Sequence, residues 1–483
     1  MTKIPSTELI YDIFSQLNDI PRPSWHEEKV AEYLCMFAER LGLDYTRDEH
    51  NCMVIRKSAT LGYENVTPVV LLNHMDMVCV AEKGISFNPL CDPINTYVED
   101  GWIKARGTSL GADNGIGLSM ALAVLQDDSI VHGPLEVITT TNEEDGMTGA
   151  ANLSADAIRG RNVINLDSED YETITVGAAG AYLQFTSLPL VRKKCPSGYS
   201  FFEISIRGGL GGHSGVDINK GRANANKLMC EMLHKIIGII NIVVASVRGG
   251  EANNSIAMTA EAVVGVSVDQ EKAFYKIVRD FTSDVKDEYC ATDPGITIEY
   301  TPMVVPDYVI SDNCVTALIN SIHALPVGVL RMSKSLKETV ETSNNIGMVR
   351  TDENSFFVSN HTRSFIDEDM VSVGGLIRNI FNTVGASTEV IMEAPAWSQD
   401  TDTDFMKLTE NTFVDVLKFR PRKVAMHFVL EAGYFVHKFP GIEIVSIGPK
   451  IIEPHSTSER VSIETVNNIW KVLVELLYRI CIH

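Results

Sequence analysis

Three clusters of acidic and imidazole side chains, residue types that bind metal ions and transfer protons, stand out in the chain. They are His74-Met75-Asp76, Glu143-Glu144-Asp145 and Asp167-Ser168-Glu169. Each follows closely on an apolar run of strand length, and the three runs are Val66 to Asn73, Leu135 to Thr141 and Val163 to Leu166. Functional groups of an α/β sheet gather where its strands end. We therefore expect the three clusters to form one site at one edge of a sheet.

The spacing within two of these clusters bears on their chemistry. His74 and Asp76 lie two residues apart at a predicted strand end, so their side chains point to the same face. A carboxylate in that position can orient a metal-bound imidazole. Glu143 and Glu144 are adjacent, and an exposed acidic loop is an equal alternative for this pair. If one acid binds a metal ion and the other stays free, the pair supplies a ligand and a general base.

Two further residues extend the candidate site. Asp113 lies in Gly-Ala-Asp-Asn-Gly at 111–115, just before an apolar helical run. A helix N-cap is the ordinary reading of such an aspartate, and the alternative is a carboxylate whose two oxygens bridge two cations. His455 lies in a loop interrupted by proline. Five candidate ligands follow one another along the chain in the order His, Asp, Glu, Asp, His. These two imidazoles and three carboxylates are a mixed nitrogen and oxygen set that zinc or manganese accepts.

The pattern of apolar residues indicates elements that could position these groups. Residues His26 to Leu41 carry an apolar helical face and are followed by Gly42, a helix stop signal. A helical run from Gly115 to Leu125 separates the first two predicted strands. Alternating strands and helices predict an α/β layer with buried strands.

The pattern of apolar and polar residues changes from about residue 187. Phe202 to Arg207 alternates as a half-buried strand, whereas Phe405 to Leu417 reads as a helix and Ile442 to Ile447 as another apolar strand. The last part of the chain has the same pattern of helices and apolar strands as the first part. We therefore predict a discontinuous catalytic domain, 1–186 and 398–483, interrupted by an inserted domain, 187–397.

Composition excludes several functional classes. The formal charge of -22 opposes nucleic-acid binding, which needs Lys and Arg to neutralise phosphates. The longest apolar stretch, Ile236 to Val247, contains Asn241 and is too short to span a membrane. The nine cysteines are dispersed without a Cys-x-x-Cys pair, so we expect no disulfides. Glu8, Asp12 and Asp19 stand where a signal peptide would need an unbroken apolar stretch, so we expect a cytoplasmic protein.

Two other catalytic chemistries lack their sequence signals. The glycine-rich turn at 208–215 has no Gly-Lys-Ser/Thr ending and is not a dinucleotide fingerprint, which opposes a nucleotide role. No Gly-x-Ser-x-Gly elbow occurs, so a serine hydrolase of that type is also disfavoured. Hydrolysis assisted by metal ions is the chemistry that the residues favour.

Ordered motifs along nearly the whole chain carry a family resemblance. They are Ser24 to Glu28 (SWHEE), Asn73 to Val78 (NHMDMV), Ala105 to Gly117 (ARGTSLGADNGIG), His132 to Val137 (HGPLEV), Gly211 to Gly215 (GGHSG), Glu341 to Ser343 (ETS), Arg363-Ser364 and Ser446 to Pro449 (SIGP). Together they closely resemble the bacterial aminoacyl-histidine dipeptidases, also called Xaa-His or cytosol non-specific dipeptidases.

The resemblance implies a di-zinc exopeptidase domain with a mixed sheet flanked by helices, plus an inserted α+β lid domain that forms a homodimer. It assigns the ligands of two zinc ions, with manganese and cobalt as alternatives. One ion is implied to bind His74, Asp113 and Asp167, and the other Asp113, Glu144 and His455. The same match makes Glu143 the general base and Asp76 the acid that orients His74.

The remaining matched positions concern the substrate. The resemblance implies that His213 of the lid stabilises the oxyanion, that Asn254 and Arg363 bind the substrate carboxylate, and that Glu431 and Gly433 form part of the pocket wall. Residues 253–257 and 427–433 depart from the family pattern, so the resemblance does not imply which side chains of the substrate are preferred. Dipeptides, including β-alanyl-histidine, are the expected substrates.

Two alternatives stay open at the level of the sequence. A related two-metal amidohydrolase, such as an N-acyl-amino-acid deacylase or a carboxypeptidase, would share every ligand and cleave another amide. A catalytically inactive metal-binding dimer would keep the ligands without turnover. The intact Glu143 and Asp76 speak against the second alternative.

Overall fold

The computed structural model describes residues 4–334 and 336–483, which divide into two compact units. The first unit takes in the chain up to Gly177 together with Trp397–Ala425 and Glu431–His483. The second comprises Ala178–Ala396 and Met426–Leu430. The short segment Met426–Leu430 therefore groups with the second unit, although it lies inside the stretch predicted as catalytic domain.

Helices and strands alternate through much of the chain. The helices are α1 (Glu8–Asn18), α2 (Glu28–Leu41), α3 (Ala112–Gln126), α4 (Thr148–Asn152), α5 (Ala225–Ile237), α6 (Glu271–Glu288), α7 (Asp312–Ala324), α8 (Asp367–Asn382), α9 (Asp404–Leu417), α10 (Ala432–Lys438) and α11 (Ile463–Ile482). The strands in the first half are β1 (Asp44–Arg47), β2 (Met53–Lys57), β3 (Val69–His74), β4 (Thr96–Glu99), β5 (Trp102–Ala105), β6 (Leu135–Thr140), β7 (Asn162–Asn165), β8 (Thr173–Ala178), β9 (Gly180–Pro189), β10 (Arg192–Lys194), β11 (Tyr199–Arg207) and β12 (Ile242–Gly249). Those in the second half are β13 (Ala260–Ser267), β14 (Thr297–Met303), β15 (Tyr308–Ile310), β16 (Gly328–Met332), β17 (Val340–Thr351), β18 (Ser355–Ser364), β19 (Ser387–Ala394), β20 (Arg422–Met426), β21 (Glu443–Ser446), β22 (Ile451–Ile452) and β23 (Arg460–Ser462).

A mixed sheet of eight strands forms the centre of the first unit, in the order β1-β2-β6-β3-β7-β21-β8-β20. Strands β6, β3, β7 and β21 run parallel to one another. Every residue of β3 and β6 is buried, which is why the start of β3 is a continuous apolar run instead of an alternating one. Strand β6 also carries the buried polar residues Glu136, Thr139 and Thr140. The strands predicted from the apolar runs are thus present.

Helices cover this sheet with apolar side chains. Helix α3 is buried over nearly its whole length and packs in one cluster with α1, α2 and α11. Helix α2 ends at Leu41, and Gly42 takes the left-handed conformation that a residue with a side chain rarely adopts. A separate four-stranded sheet, β22-β23-β5-β4, completes the unit.

The second unit is built on an antiparallel sheet in the order β14-β11-β13-β12-β17-β18-β9-β19, with β16 added beside β17. Helices α5, α6, α7 and α8 supply the apolar faces that form its core. Among the described residues, no helix combines the length and the apolar character that crossing a membrane requires.

Candidate metal centre

The parallel strands of the first unit end at one edge of the sheet, and the predicted metal ligands lie there. His74 is the last residue of β3 and is aligned with Thr140 at the end of β6. Glu143 and Glu144 follow β6, and Asp167 follows β7. Because parallel strands place their carboxyl ends together, residues far apart in sequence converge.

Asp113 lies between the two histidines. Its Oδ1 is 3.1 Å from Nε2 of His74, and its Oδ2 is 3.1 Å from Nε2 of His455. Burial alone would raise the pKa of Asp113, but hydrogen bonds to His455 and His74 hold that pKa below its ordinary value. Each carboxylate oxygen therefore faces a different imidazole, the arrangement of a bridging ligand.

The two remaining carboxylates each approach one histidine. Oδ1 of Asp167 is 3.4 Å from Nε2 of His74, whereas Oε2 of Glu144 is 2.9 Å from Nε2 of His455. The five side chains thus form two groups of three that share Asp113, the grouping that the resemblance implies. His74, Asp113 and Glu144 also present ligand atoms within 4.8 Å of one another.

These spacings fit divalent ions. Four ligands around zinc at about 2.0 Å lie about 3.3 Å from one another, and the histidine-to-carboxylate distances here are 2.9 to 3.4 Å. Burial, then repulsion from neighbouring acids, raises the pKa of Asp167 to about 7 and that of Glu169 to about 8. Oε1 of Glu144 is buried without a hydrogen-bond partner. Bound cations would offset this concentration of buried carboxylates.

Asp76 links the metal ligands to the loop that follows β6. Its Oδ1 is 3.3 Å from Nδ1 of His74, on the side of the ring opposite Asp113. The backbone amides of Glu143 and Glu144 donate to its two oxygens at 3.1 and 3.2 Å, and Ser24 donates at 2.7 Å. One buried carboxylate therefore lies beside the imidazole and accepts both backbone amides of the acidic pair.

Glu143 is 9% exposed, and its carboxylate makes no hydrogen bond to another residue within 4–334 and 336–483. Burial raises the pKa of Glu143 well above its ordinary value; His74 lowers it, whereas Asp167 and Glu144 raise it further. A buried acid that stays uncommitted beside the ligand groups suits a general base.

Glu27 holds the same loop from the N-terminal segment. Its Oε1 accepts the backbone amide of Asn142 at 2.9 Å, and the side chain of Asn142 accepts the amide of Trp25. The Glu27 side chain is buried, and burial raises its pKa to about 7. The motif SWHEE at 24–28 thus packs against the loop that carries Glu143.

This raised pKa predicts a pH-dependent stability. Protonated Glu27 is favoured in the folded chain, so its contribution is fully present below about pH 4.5 and is lost as pH rises through about 7. We expect Glu27→Gln to remove about 1 to 3 kcal/mol of that decline, measured by urea unfolding between pH 4 and 8. The exposed neighbour Glu28, replaced by Gln, is the control, and equal pH profiles for both variants would contradict the assignment.

Glu431 and Gly433, predicted to form the pocket wall, lie at the start of α10. Glu431 is buried and accepts a hydrogen bond from Thr140 at 2.6 Å, while its Oε1 has no partner. Burial raises the pKa of Glu431 to about 8. Gly433 is buried in the first turn of the helix.

His213 of the second unit has a defined tautomer. Its Nδ1 accepts hydrogen bonds from the backbone amides of Gly215 and Val216 at 3.3 and 3.2 Å. Burial lowers the pKa of His213, and the charge of Arg363 lowers it further. The ring is therefore neutral near pH 7 with its proton on Nε2, which leaves that nitrogen as a donor.

Arg363 is a buried cation near His213. It is 4% exposed, and no carboxylate pairs with it in the part of the chain that the structure describes. Burial lowers the pKa of Arg363 to about 10, so the guanidinium stays charged at neutral pH. Asn254 lies next to the His213 turn, where its backbone carbonyl accepts a hydrogen bond from the backbone amide of Ser214 at 2.7 Å. Asn254 is exposed.

The sequence patterns missed two groups of buried polar residues. Arg22 and Glu459 contact the turn that carries Asp113, and His361 and His427 lie near Arg363. His427 is hydrogen-bonded through Nε2 to Ser343 at 2.8 Å. The available signals were weak: prolines on both sides of Arg22, and the motifs that contain Ser343 and His427.

Comparison with known proteins shows the family of the chain. The model of peptidase family M20/M25/M40 matches residues 70–479, and the chain belongs to that family. The cytosol non-specific dipeptidase of Escherichia coli (strain K12) is 37% identical over 476 residues, 98% of each chain. The crystal structure of aminoacylhistidine dipeptidase from Vibrio alginolyticus is 34% identical with a TM-score of 0.93, covering 98% of this chain and 97% of the other.

A more distant structure shares the fold alone. Aminopeptidase PepT from Bacillus cereus is 18% identical, with a TM-score of 0.61 and coverage of 98% of this chain and 99% of the other. The predicted family resemblance, the α/β fold and the class of peptide-bond hydrolase are confirmed by these matches. The roles of individual residues stay predictions.

Proposed function

We propose that the protein is a metal-dependent dipeptidase that hydrolyses unblocked dipeptides, Xaa-His dipeptides such as β-alanyl-histidine among them. The observation that carries this proposal is Asp113, whose two oxygens face two different imidazoles beside the uncommitted carboxylate of Glu143. Family membership and two relatives named as dipeptidases support the reaction class.

The ligand groups suit two divalent ions, with zinc expected and manganese or cobalt as alternatives. His74, Asp113 and Asp167 would hold one ion, and Asp113, Glu144 and His455 the other. When bound, the pair supplies Lewis acidity that increases the acidity of water and polarises a carbonyl oxygen.

Glu143 performs the proton transfers in this proposal. It takes a proton from the attacking water and later delivers it to the nitrogen of the leaving amine, so it ends the cycle ionised. A carboxylate that neither binds an ion nor pairs with a cation can carry out both steps, because it is free to accept the proton and then to release it to the amine. Asp76 keeps the backbone of Glu143 in place.

Two residues of the second unit are proposed to bind the substrate. Arg363, a buried cation without an acidic partner, offers its planar fork to the substrate carboxylate. His213 donates a hydrogen bond from its Nε2–H group to the oxyanion. Asn254 joins Arg363 in binding the carboxylate, and Glu431 with Gly433 lines the pocket.

We also propose that the protein is cytoplasmic and that it forms a homodimer. In this proposal the inserted unit is the lid domain and provides the dimer interface. All nine cysteines are free in the structure, which supports a reducing compartment. The dimer is carried by the family resemblance. Sedimentation of the purified protein measures it directly.

The function is tested with a panel of amides assayed for released amino acids. Dipeptides with both termini free, including β-alanyl-histidine, are compared with N-acyl amino acids and with dipeptide amides. We expect turnover of the free dipeptides and a large loss on the amides, because these lack the carboxylate that Arg363 binds. Turnover of the N-acyl amino acids alone would replace this proposal with a deacylase.

A further inference from the structure

We infer that Arg22 and Glu459 are positioning residues that set the spacing of the two metal-ligand groups through the turn that carries Asp113. The inference rests on the proposed metal centre and extends it to two side chains that contact no proposed substrate or ion. Each residue joins that turn to one of the two histidine-bearing segments.

Arg22 joins the His74 segment to the Asp113 turn. Its Nη1 donates to the carbonyls of Met75 and Asp76, each at 3.1 Å, and its Nη2 donates to the carbonyl of Gly111 at 2.6 Å. The side chain is 1% exposed and, within the described ranges, forms no ion pair. A planar guanidinium presents several donors in fixed directions, which the single ammonium of lysine does not reproduce.

The glycines of this turn make room for Arg22. A Cβ atom on Gly111 or on Gly115 would lie 2.6 Å from Nη2 of Arg22. Gly111 also has a φ of +67°, which residues with side chains rarely adopt. The glycine bracket of Asp113 therefore serves the close approach of the guanidinium.

Glu459 joins the His455 segment to the same turn. Its Oε2 accepts the amides of Leu110 and Gly111 at 2.8 and 3.0 Å, and its Oε1 accepts those of Ala112 and Asp113 at 2.8 and 3.4 Å. Glu459 is 3% exposed and lies four residues beyond His455 in the chain. One carboxylate thus satisfies four successive backbone donors at the start of α3.

These contacts predict separate effects on the two ions. Arg22 fixes Asp113 relative to His74, so a change there should weaken the ion held by His74, Asp113 and Asp167. Glu459 fixes Asp113 relative to His455, so a change there should weaken the ion held by Asp113, Glu144 and His455. A purely structural role would lower stability without this selectivity.

The test is cobalt binding to Arg22→Lys and Glu459→Gln in the full chain, followed by visible absorption and chelator competition. Each variant is made in two backgrounds that retain one ligand group: His455→Ala and Asp167→Ala. We expect Arg22→Lys to weaken cobalt binding by about 10- to 100-fold in the His455→Ala background only, and Glu459→Gln by as much in the Asp167→Ala background only.

Matched controls separate positioning from general stability. Arg192 donates to the carbonyls of Glu353, Ala245 and Asp352 in the second unit, and Glu136 accepts the amides of Arg159 and Gly160. Arg192→Lys and Glu136→Gln should change the melting temperature and leave cobalt affinity unaltered.

Unchanged cobalt affinity in both test variants, or equal losses in both backgrounds, would overturn the inference. If Glu459→Gln does not fold, Glu459→Asp keeps the charge and shortens the reach, and the same selectivity is required of it. The outcome is distinct from failure of the proposed function, because binding is measured without peptide. A protein that binds two cobalt ions and cleaves no dipeptide would leave the positioning roles intact.

Discussion

Replacing Glu143 with glutamine is expected to lower kcat for a dipeptide by about 10²- to 10⁴-fold, the usual contribution of a general base. Glutamine keeps the shape of the side chain and the backbone amide that donates to Asp76, but it cannot accept a proton from water. Metal content should stay at two ions per chain because the ligand groups do not include Glu143. Steady-state kinetics together with elemental analysis measures both quantities.

The control for this variant is Asp145→Asn, two positions further along the same loop. Asp145 is exposed and its carboxylate accepts a hydrogen bond from the indole of Trp25 at 2.7 Å. We expect this variant to retain turnover within a few fold. Full activity of Glu143→Gln would remove the assigned base, and loss of its metal ions would make Glu143 a ligand.

The predictable part of the site follows from its buried parallel strands. A strand covered on both faces is mostly apolar, so the end of the strand is marked in the sequence by the point where a cluster of polar residues begins. His74 and Asp167 stand at such points. The convergence of their clusters could therefore be predicted without any knowledge of the loops.

The sequence left open whether Asp113 caps a helix or bridges two metal ions. In the structure α3 begins at Ala112, and Asp113 has backbone angles outside the helical range. The amides at this helix start donate to Glu459, which is 346 residues further along the chain than Asp113. Because a distant carboxylate fulfils the capping role, both oxygens of Asp113 are free to face the histidines.

Arg22 and Glu459 could not be found from the sequence because their partners are backbone groups. Main-chain carbonyls and amides have no residue type, so a contact with them leaves no pattern of paired charges. Glu459 precedes Arg460, and such a pair normally indicates a solvated surface. Only the folded arrangement distinguishes these buried charges from the many exposed ones of an acidic protein.

Replacing Asp113 with asparagine is expected to weaken both ions, because this one side chain belongs to both ligand groups. The amide keeps the size of the side chain but loses the negative charge and one of the two acceptor oxygens. We expect each ion to bind at least about 100-fold more weakly and turnover to fall by about 10³-fold or more. Asp167→Asn, by contrast, should weaken one ion and spare the other.

The same variant decides between the two readings of Asp113. A helix cap would give a loss of stability with metal content unchanged, whereas a bridging ligand gives loss of metal from a folded chain. Asp127→Asn at the other end of α3 is the control, since its carboxylate accepts the amide of Ser129 at 2.8 Å far along the helix from the ligands. Two tightly bound ions in Asp113→Asn, by elemental analysis after dialysis, would show that the ligand groups do not share this residue.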